Sequence, residues 1–484
     1  MHYLISAPHP ESHFLEIQYT IPGPGGDYLE VQLPAWRPGR YELQNFAKNI
    51  RTFSAKDHKG NSISLHKITK DRWKLRTAGC ETVTITYSYY ANQQNAGSSY
   101  LDTSFCYLNF INFCLYTEGR IDEPCTIDLD LPDHYQVACG LPQTAPRRLS
   151  ARDFYQLVDS PLLASPQLQK LSYVSHGIPF NVWFQGGLPF DGKKLVRDFK
   201  AFTDVQIAAM GEFPEKDYHF LNLILPTPYY HGVEHQNSTM IVLGPLDEGE
   251  NLYTDLLGVS SHELFHAWNI IKIRPKELLP YDFTRENYFT TCFVAEGCTT
   301  YYGDLFLRRS GVFDDAAYLK ELHVYLKRHF EQAGQAALSL TESSFDLWLD
   351  GYEAGIPQRK VSVYQKGALV ALILDLYLRK ISNHRKSLDT VMRAMWEEFG
   401  KPFVGYHYED YVRVAETVAG HEIPWYWQEC ITGATPLEHR LNEALAFVGL
   451  QMAWDQNGVD LRDTAGATER TEREKWLRGV RCEV

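Results

Sequence analysis

His262-Glu263-Leu264-Phe265-His266 is the stretch of this sequence that says most about its fold. Two imidazoles four residues apart on a helix point the same way and can share one zinc ion. A carboxylate beside the first imidazole can act as the general base of a hydrolytic reaction. The alternative is a buried helix that carries these residues without a metal, so the interpretation depends on the neighbouring sequence.

The helix predicted around this stretch is apolar on most sides, because it also contains Leu256, Leu257, Val259, Leu264, Phe265 and Trp268. Burial favours the neutral imidazole, which is the form that binds zinc. A catalytic zinc site needs a third protein ligand and an open position for water. A histidine six residues after His266 would match one known pattern, but that position is Lys272.

A carboxylate is the other candidate for the third ligand, and four acidic residues compete for this role: Glu277, Asp282, Glu286 and Glu296. The first three lie in or near a polar connection with prolines, where their side chains are expected to be solvated. Glu296 lies in the apolar segment Phe293-Val294-Ala295-Glu296-Gly297, where an unpaired charge is costly. The residues therefore favour Glu296 as the ligand, and its pairing with a lysine or arginine is the alternative.

A second histidine-rich stretch, His231-Gly232-Val233-Glu234-His235, has the letters of an inverted zinc motif. That motif also requires a helix. Here Pro226 and Pro228 come just before it, Gly232 interrupts it, and the strand-like run Met240-Ile241-Val242 follows. We therefore predict a strand or turn at this place and no metal site.

The 484 residues have the composition of an ordinary globular protein, with 44% hydrophobic and 22% charged residues. The net charge of -13 argues against general binding to nucleic acids or anionic membranes. Nine cysteines without a C-x-x-C motif argue against a disulfide framework and against a cysteine-based zinc site. No signal peptide is visible, and the longest clean apolar run, residues 368–374, is too short to cross a bilayer. We expect a soluble, cytoplasmic protein.

The chain is predicted to be a multidomain α+β protein. Residues 1–160 are predicted to form a β-sandwich, because short alternating apolar runs are separated by turn signals. One such run consists of Leu15, Ile17, Tyr19 and Ile21. Residues 161–450 show strand patterns followed by helical patterns, which predict an α+β domain with a helical C-terminal part. The helices are expected near 252–271, 288–309, 315–333, 361–381 and 387–399. Residues 451–484 are polar and charged and are expected to be a short tail.

Several stretches in combination resemble the glycyl aminopeptidase family, a branch of the thermolysin-like zinc metallopeptidases, the gluzincins. The resemblance covers roughly residues 1–450. It rests on six stretches, which are Leu33-Pro34-Ala35-Trp36-Arg37-Pro38-Gly39-Arg40-Tyr41, Phe46-Ala47-Lys48-Asn49-Ile50, His262-Glu263-Leu264-Phe265-His266-Ala267-Trp268-Asn269, Ile273-Arg274-Pro275, Glu296-Gly297-Cys298-Thr299-Thr300-Tyr301-Tyr302-Gly303-Asp304 and Glu342-Ser343-Ser344-Phe345-Asp346. The resemblance implies a thermolysin-like catalytic domain after the N-terminal β-sandwich. It also implies that His262, His266 and Glu296 bind one zinc ion and that Glu263 is the general base.

Two further roles are implied by the resemblance. Val363-Tyr364-Gln365-Lys366-Gly367-Ala368 is similar to the segment that supplies a transition-state tyrosine in related enzymes, which assigns that role to Tyr364. Gly232-Val233-Glu234-His235 resembles their substrate-binding segment, in which a glutamate pairs with the free α-amine of the substrate. Gly232 and Glu234 are therefore expected to bind substrate. The alternatives are a core tyrosine and a solvated loop glutamate.

The predicted function is a zinc-dependent aminopeptidase acting on the N-terminal peptide bond of peptides, with the family implying small N-terminal residues such as glycine or alanine. One alternative is a zinc endopeptidase with an open cleft, and another is a zinc-containing peptide-binding module without catalysis. Peptides are the expected partners, with neither nucleic acid nor membrane. Family members commonly end in a PDZ domain, and the last ~35 residues of this chain are too short to form a complete one.

Overall fold

The computed structural model describes residues 1–246, 249–353 and 355–478. The N-terminal part is built from short strands, with one helix, α1 (Phe154–Val158), near its end. The strands are β1 (His2–Ser6), β2 (Phe14–Pro22), β3 (Tyr28–Gln32), β4 (Ile50–Asp57), β5 (Leu65–Thr69), β6 (Arg72–Arg76), β7 (Thr82–Tyr90), β8 (Tyr100–Leu101), β9 (Cys106–Leu108), β10 (Tyr116–Thr117), β11 (Cys125–Asp130), β12 (Gln136–Cys139), β13 (Gln143–Ala145), β14 (Arg148–Ala151) and β15 (Leu162–Ser165).

These strands form three sheets, in the orders β13-β14-β11-β1-β2-β7-β4, β10-β3-β6-β5 and β12-β15-β9-β8. The alternating apolar residues of β2 point into the core between the first two sheets, and Leu15, Ile17, Tyr19 and Ile21 are fully buried. The predicted β-sandwich is therefore present. Its sheets include β15, which pairs with β9 and β12, so the chain leaves them after Ser165.

A five-stranded sheet begins the second part of the chain. Its strands are β16 (Leu168–Ser175), β17 (Ile178–Gln185), β18 (Tyr218–Ile224), β19 (Tyr229–Glu234) and β20 (Ser238–Gly244), in the order β16-β17-β18-β20-β19. The edge strand β19 pairs antiparallel with β20, with Gly232 opposite Ile241 and Glu234 opposite Thr239. Residues 231–234 thus lie in a strand and His235 follows it, in agreement with the strand or turn predicted here.

The remaining chain is mostly helical. Its helices, together with the one that follows β17, are α2 (Gly192–Met210), α3 (Glu250–Phe265), α4 (Thr299–Arg309), α5 (Asp315–Phe330), α6 (Leu340–Phe345), α7 (Leu347–Asp350), α8 (Gln365–Ser382), α9 (Leu388–Met395), α10 (Tyr408–Ala419), α11 (Glu438–Phe447) and α12 (Ala467–Arg478). Short π-helical turns occur at Phe293–Cys298, Trp396–Gly400 and Tyr426–Ile431. The predicted fold class, α+β with an N-terminal β-rich domain and a helical C-terminal part, is confirmed.

The helix α2 is not predicted by the sequence pattern, which suggests strands up to Val242. It begins after Asp191, whose carboxylate accepts hydrogen bonds from the amides of Lys193 and Lys194. One face of the helix packs into the core through Phe199 and Phe202. Aromatic residues such as Phe199 and Phe202 are common in strands, which is why the composition suggests strands here. Their three-residue spacing places them on one face of a helix instead.

The segment expected to be a tail packs onto the helical region. Residues 450–463 form a hairpin of β21 (Leu450–Asp455) and β22 (Gly458–Asp463), and α12 follows. Trp476 is fully buried, and its indole N–H donates to the hydroxyl of Tyr301 at 2.9 Å. Most charged residues of this segment face solvent. Because they dominate its composition, the few apolar residues that anchor it are hard to recognise in the sequence.

In the described ranges, every helix is too short or too polar to cross a membrane. The eight cysteines in those ranges are free thiols, most of them buried. Cys482 lies outside the described residues.

Candidate metal centre and active-site cleft

The end of α3 places two imidazoles on one face. His262 lies in its last turn and His266 caps it with helical dihedral angles, so their Nε2 atoms are 3.0 Å apart. The sequence predicts a helix to residue 271, but it ends at Phe265, and Ile270 has a positive φ of 96°. The early end lets the Asn269 carbonyl accept a hydrogen bond from His266 Nδ1 at 2.8 Å. This bond places a proton on Nδ1 and turns Nε2 toward the site, so Nε2 is the atom that would bind a metal once it carries no proton.

Asn269 also joins the two helical segments of the site. Its buried amide nitrogen donates to the carbonyls of Val294 and Ala295 and to the Thr299 hydroxyl, at 2.8–3.1 Å. These acceptors flank Glu296, so Asn269 is a positioning residue that sequence reasoning missed. The only signal in the sequence is an amide side chain three residues after His266, in a run of otherwise apolar residues.

Glu296 lies in the π-helical turn Phe293–Cys298 that precedes α4. Its Oε2 is 3.6 Å from His262 Nε2 and 3.4 Å from His266 Nε2. Turns of this type, with one residue more than an α-helical turn, are frequent at functional sites. The structure therefore brings Glu296 to the imidazoles.

The competing carboxylates lie elsewhere. Asp282 pairs with Arg285 at 2.7 Å, and Glu277 lies 3.4 Å from His407. In the described part of the chain, neither of these acids, nor Glu286, belongs to a group of side chains close enough to share a metal.

Tyr364 reaches the same site through a close crossing of two backbones. A Cβ atom at Gly297 would lie 2.5 Å from Gly367 Cα, so the turn that carries Glu296 touches the start of α8 directly. Tyr364 caps this helix and lines the same cleft as His262 and Glu263. Burial raises the pKa of its hydroxyl well above the ordinary value, and the Glu296 carboxylate adds to the effect, so the hydroxyl keeps its proton.

The donor atoms fit a zinc ion. The ligand atoms of His262, His266 and Glu296 all lie within 4.8 Å of one another. Ligands about 2.0–2.2 Å from a tetrahedral zinc are separated by roughly 3.3 Å. The separations of 3.0, 3.4 and 3.6 Å are close to this value.

The charges around these atoms also favour a cation. Burial disfavours the charged form of His266, but the carboxylates of Glu296, Glu234 and Glu263 outweigh this and raise its pKa to about 10. Burial likewise raises the pKa of Glu296, but His266 and His262 outweigh it and lower the pKa to about 2. These carboxylates therefore stabilise a positive charge at the position of His266 Nε2.

Glu263 and Glu234 are two further buried carboxylates next to the imidazoles. Their oxygens and the ring of His266 form a second group within 4.8 Å. Burial, and then the neighbouring carboxylates, raise the pKa of Glu263 well above its usual range. Among the described residues, Glu263 Oε2 has no hydrogen-bond partner. A buried carboxylate oxygen left unpaired in this way often has a catalytic role or pairs with an ion.

Two glycines make room for these carboxylates. A Cβ at Gly232 would lie 2.1 Å from Glu263 Oε1, and one at Gly39 would lie 2.8 Å from Glu234 Oε2. Gly39 has a φ of 75°, in the region that favours glycine. It belongs to the turn 37–40 of the N-terminal domain, where the sequence shows nothing catalytic. This domain thus forms part of the wall of the site, beside β19.

We expect Gly232→Ala to lower kcat/KM about 100-fold with bound metal unchanged, because the new methyl group displaces the Glu263 carboxylate and a misplacement of about 1 Å has this effect. Peptide hydrolysis and metal content by mass spectrometry measure this. Gly187→Ala is the matched control, since a Cβ there meets nothing within 4 Å. Wild-type kinetics for Gly232→Ala would show that the close packing of Gly232 on Glu263 has no catalytic importance.

His262, Glu263 and Tyr364 line a cleft of about 860 Å³, with walls formed by the turn 37–40, β19 and the helices α3, α4, α5 and α8. His231 lines this cleft. His235 points elsewhere, with its Nδ1 atom 2.9 Å from Asp159 Oδ1. In the described residues, neither histidine belongs to a group of side chains close enough to share a metal, whereas Glu234 of the same strand lies in a group with Glu263 and His266.

Comparisons with known proteins agree with this arrangement. Residues 2–166 match the Peptidase M61 N-terminal domain, and residues 255–370 match M61 glycyl aminopeptidase. An aminopeptidase N family protein from Idiomarina loihiensis has a crystal structure with a TM-score of 0.88 and 31% identity, covering 94% of this chain and 80% of that chain. No curated protein matches this sequence.

More distant structures share the fold. An M1 zinc metallopeptidase from Deinococcus radiodurans has a TM-score of 0.54 at 13% identity, over 90% of this chain and 94% of that chain. A variant of an M1 zinc metallopeptidase from that organism, bound to a Tyr-Ser-Ala substrate, has a TM-score of 0.55 at 14% identity, with the same coverage. Both domains of this chain have their counterparts in one family, and the chain belongs to the M61 glycyl aminopeptidase family of peptidases.

Proposed function

We propose that this protein is a zinc-dependent aminopeptidase that hydrolyses the N-terminal peptide bond of peptides. One zinc ion per chain would be held by His262, His266 and Glu296. The observation that carries the proposal is that these three ligands lie next to two further buried carboxylates, Glu263 and Glu234, beside a cleft that His262 and Glu263 line. Membership of a glycyl aminopeptidase family supports the reaction class.

Glu263 is the proposed general base. When bound, zinc polarises the carbonyl of the substrate and lowers the pKa of water to about 7. Glu263 takes a proton from the attacking water through its unpartnered Oε2 and passes it to the leaving amine. The protonated hydroxyl of Tyr364 donates a hydrogen bond to the oxygen that becomes negative in the transition state.

Glu234 is the proposed partner of the substrate α-ammonium group. Its carboxylate lies close to that of Glu263, so two acidic side chains face the substrate amine. An α-ammonium group is attracted to such a pair, and burial of Glu234 strengthens the pairing. Holding the amine there allows only the first peptide bond to reach the metal, which makes the enzyme an exopeptidase.

The substrate backbone is proposed to lie along β19. This strand is at the edge of its sheet, so a peptide can pair with its free side as an added strand. We further propose small N-terminal residues such as glycine or alanine. The name of the family supports this, and so do the bulky side chains of Tyr352 and Tyr364 that line the cleft.

We expect Glu234→Gln to lower kcat/KM for free-amine peptides about 10- to 100-fold, because a charge-assisted hydrogen bond to the ammonium group becomes a neutral one. N-acetylated peptides lack that ammonium group, so their slow background cleavage should not change. Matched pairs of free and acetylated peptides measure both rates. An equal loss for the two kinds of peptide would show that Glu234 does not bind the amine.

Hydrolysis of aminoacyl p-nitroanilides and N-acetylated peptides, with a chelator and then with added zinc, tests the function itself. Cleavage that is restricted to free-amine substrates, lost with chelator and restored by zinc supports the proposal. Efficient cleavage of acetylated internal peptides would instead identify an endopeptidase with an open cleft. No cleavage by protein that contains one zinc per chain would identify a peptide-binding module.

A further inference from the structure

The turn 37–40 of the N-terminal domain separates two spaces beside the proposed amine site. Its second half, Gly39 and Arg40, lines the active-site cleft, and its first half lines a neighbouring cavity of about 430 Å³. Glu234 lines that cavity as well. The cleft and the cavity are therefore divided by this turn at the place where the amino group of a substrate would be held.

The backbone of the turn lies directly against the Glu234 carboxylate. A Cβ atom at Gly39 would lie 2.8 Å from Glu234 Oε2 and 3.0 Å from its Oε1. The same carboxylate belongs to a group with Glu263 and His266, whose ligand-type atoms all lie within 4.8 Å of one another. An amino group held by Glu234 would therefore have the turn close behind it, so a group added to that nitrogen would meet the turn.

Aromatic residues fix both ends of the turn on the catalytic domain. Trp36 and Tyr41 are buried in one hydrophobic cluster, which also contains Ala295, the residue before Glu296. The Trp36 indole N–H donates to the Asp282 carbonyl at 2.8 Å. The turn is thus held in place relative to the candidate metal ligands, although it belongs to the N-terminal domain.

Tyr352, just after α7, holds the turn from the helical part of the protein. Its hydroxyl accepts a hydrogen bond from the backbone N–H of Tyr41 at 3.2 Å and donates one to the Gly39 carbonyl at 3.5 Å. The Arg40 guanidinium lies over the Tyr352 ring, 4.8 Å from its centroid. This one side chain therefore contacts three consecutive residues at the end of the turn.

We propose that the turn 37–40, held by Tyr352, is a barrier that ends the cleft behind the amino group of the substrate and excludes peptides with a blocked or extended N-terminus. The proposal rests on the aminopeptidase function. Glu234 attracts the ammonium group, and the turn excludes what is attached beyond it. Tyr352 is a positioning residue that acts through the turn. If the turn is released, the cleft joins the neighbouring cavity and a longer chain can enter it.

A series of blocked substrates tests this, because a steric barrier and a lost charge have different effects. N-formylalanyl, N-acetylalanyl and N-acetylalanyl-alanyl p-nitroanilide all lack the ammonium group and differ in the size of the added group. We expect kcat/KM of the wild type to fall at least about 10-fold from the smallest to the largest. Where cleavage is slow, the same compounds are measured as competitive inhibitors of alanyl p-nitroanilide hydrolysis.

Tyr352→Ala removes the hydrogen bonds to the turn and the ring under Arg40. We expect kcat/KM for the largest blocked substrate to rise about 10- to 100-fold relative to the smallest. Tyr352→Phe keeps the ring and should show a smaller rise. Tyr325→Phe is the matched control, because it also loses a hydroxyl in the cleft wall, but that hydroxyl donates to Asp304 and joins α5 to α4. It should keep the size dependence of the wild type.

Hydrogen exchange at the Tyr41 amide shows whether the turn is released, since the Tyr352 hydroxyl accepts the hydrogen bond of that amide. We expect faster exchange in Tyr352→Ala, and a thermal melt checks that the fold is intact. Faster exchange with an unchanged size dependence would overturn the barrier. Unchanged exchange in this variant would overturn the role of Tyr352 in holding the turn.

Two further comparisons separate the barrier from the rest of the proposed function. Glu234→Gln should keep the size dependence of the wild type, and a loss of that dependence would assign the exclusion to Glu234 instead of the turn. Equal cleavage of free-amine and blocked substrates by the wild type would refute the aminopeptidase function. A wild type that prefers free amines but cleaves blocked substrates of all sizes equally would refute the barrier alone.

Discussion

Glu263→Gln is expected to lower kcat about 100- to 10,000-fold while the enzyme keeps one zinc per chain, because glutamine has the same shape but cannot accept a proton. The structure supports this assignment through the position of Glu263 beside His262, its burial and its unpartnered Oε2 atom. Hydrolysis of alanyl p-nitroanilide and the metal content by mass spectrometry are the two measurements.

Glu321→Gln is the matched control for this variant, since Glu321 lines the same cleft at a distance from the imidazoles. It should keep near-normal turnover. If Glu263→Gln also turned over normally with zinc bound, another group would have to be the base and the mechanism would be refuted.

Tyr364→Phe is expected to lower kcat about 100- to 1,000-fold with little change in KM, because it removes one hydrogen-bond donor to the transition-state oxygen. The raised pKa of this hydroxyl keeps it protonated over the working pH range, so its effect should not depend on pH between about 6 and 8. Kinetics on alanyl p-nitroanilide at several pH values measure both properties.

Tyr230→Phe removes a hydroxyl from another tyrosine that lines the cleft and serves as the control. The melting temperatures of both variants should stay near that of the wild type, which separates a catalytic from a structural effect. Similar activities of the two variants would identify Tyr364 as a wall residue of the cleft.

Local sequence predicts the parts of this site that lie within one helix. The four-residue spacing puts His262 and His266 on one face whatever the rest of the protein does, because the period of the α-helix sets this. An apolar setting also marks Glu296 among four competing acids, because a lone buried carboxylate needs partners. In the structure these partners are the two imidazoles. The roles of these residues as zinc ligands stay predictions.

Sequence patterns fail where a contact is made by distant backbone. Nothing local shows that α3 ends at Phe265 so that Asn269 can hold His266 and the segment around Glu296. The charged segment after residue 450 looks like a tail because only a few of its side chains, such as Trp476, are buried. The turn 37–40 gives no sign that it lies against Glu234.

The sequence by itself determined the class of fold, the helix with its pair of imidazoles and the β-sandwich, since all three follow from periodicity in short windows. Tertiary structure decided which other residues lie beside that helix in the site. Contact between Gly297 and Gly367 brings Tyr364 to the site, the edge position of β19 presents Glu234, and the N-terminal domain supplies Gly39. These distances depend on how whole elements pack, and packing depends on residues far apart in the chain, so no local pattern encodes them.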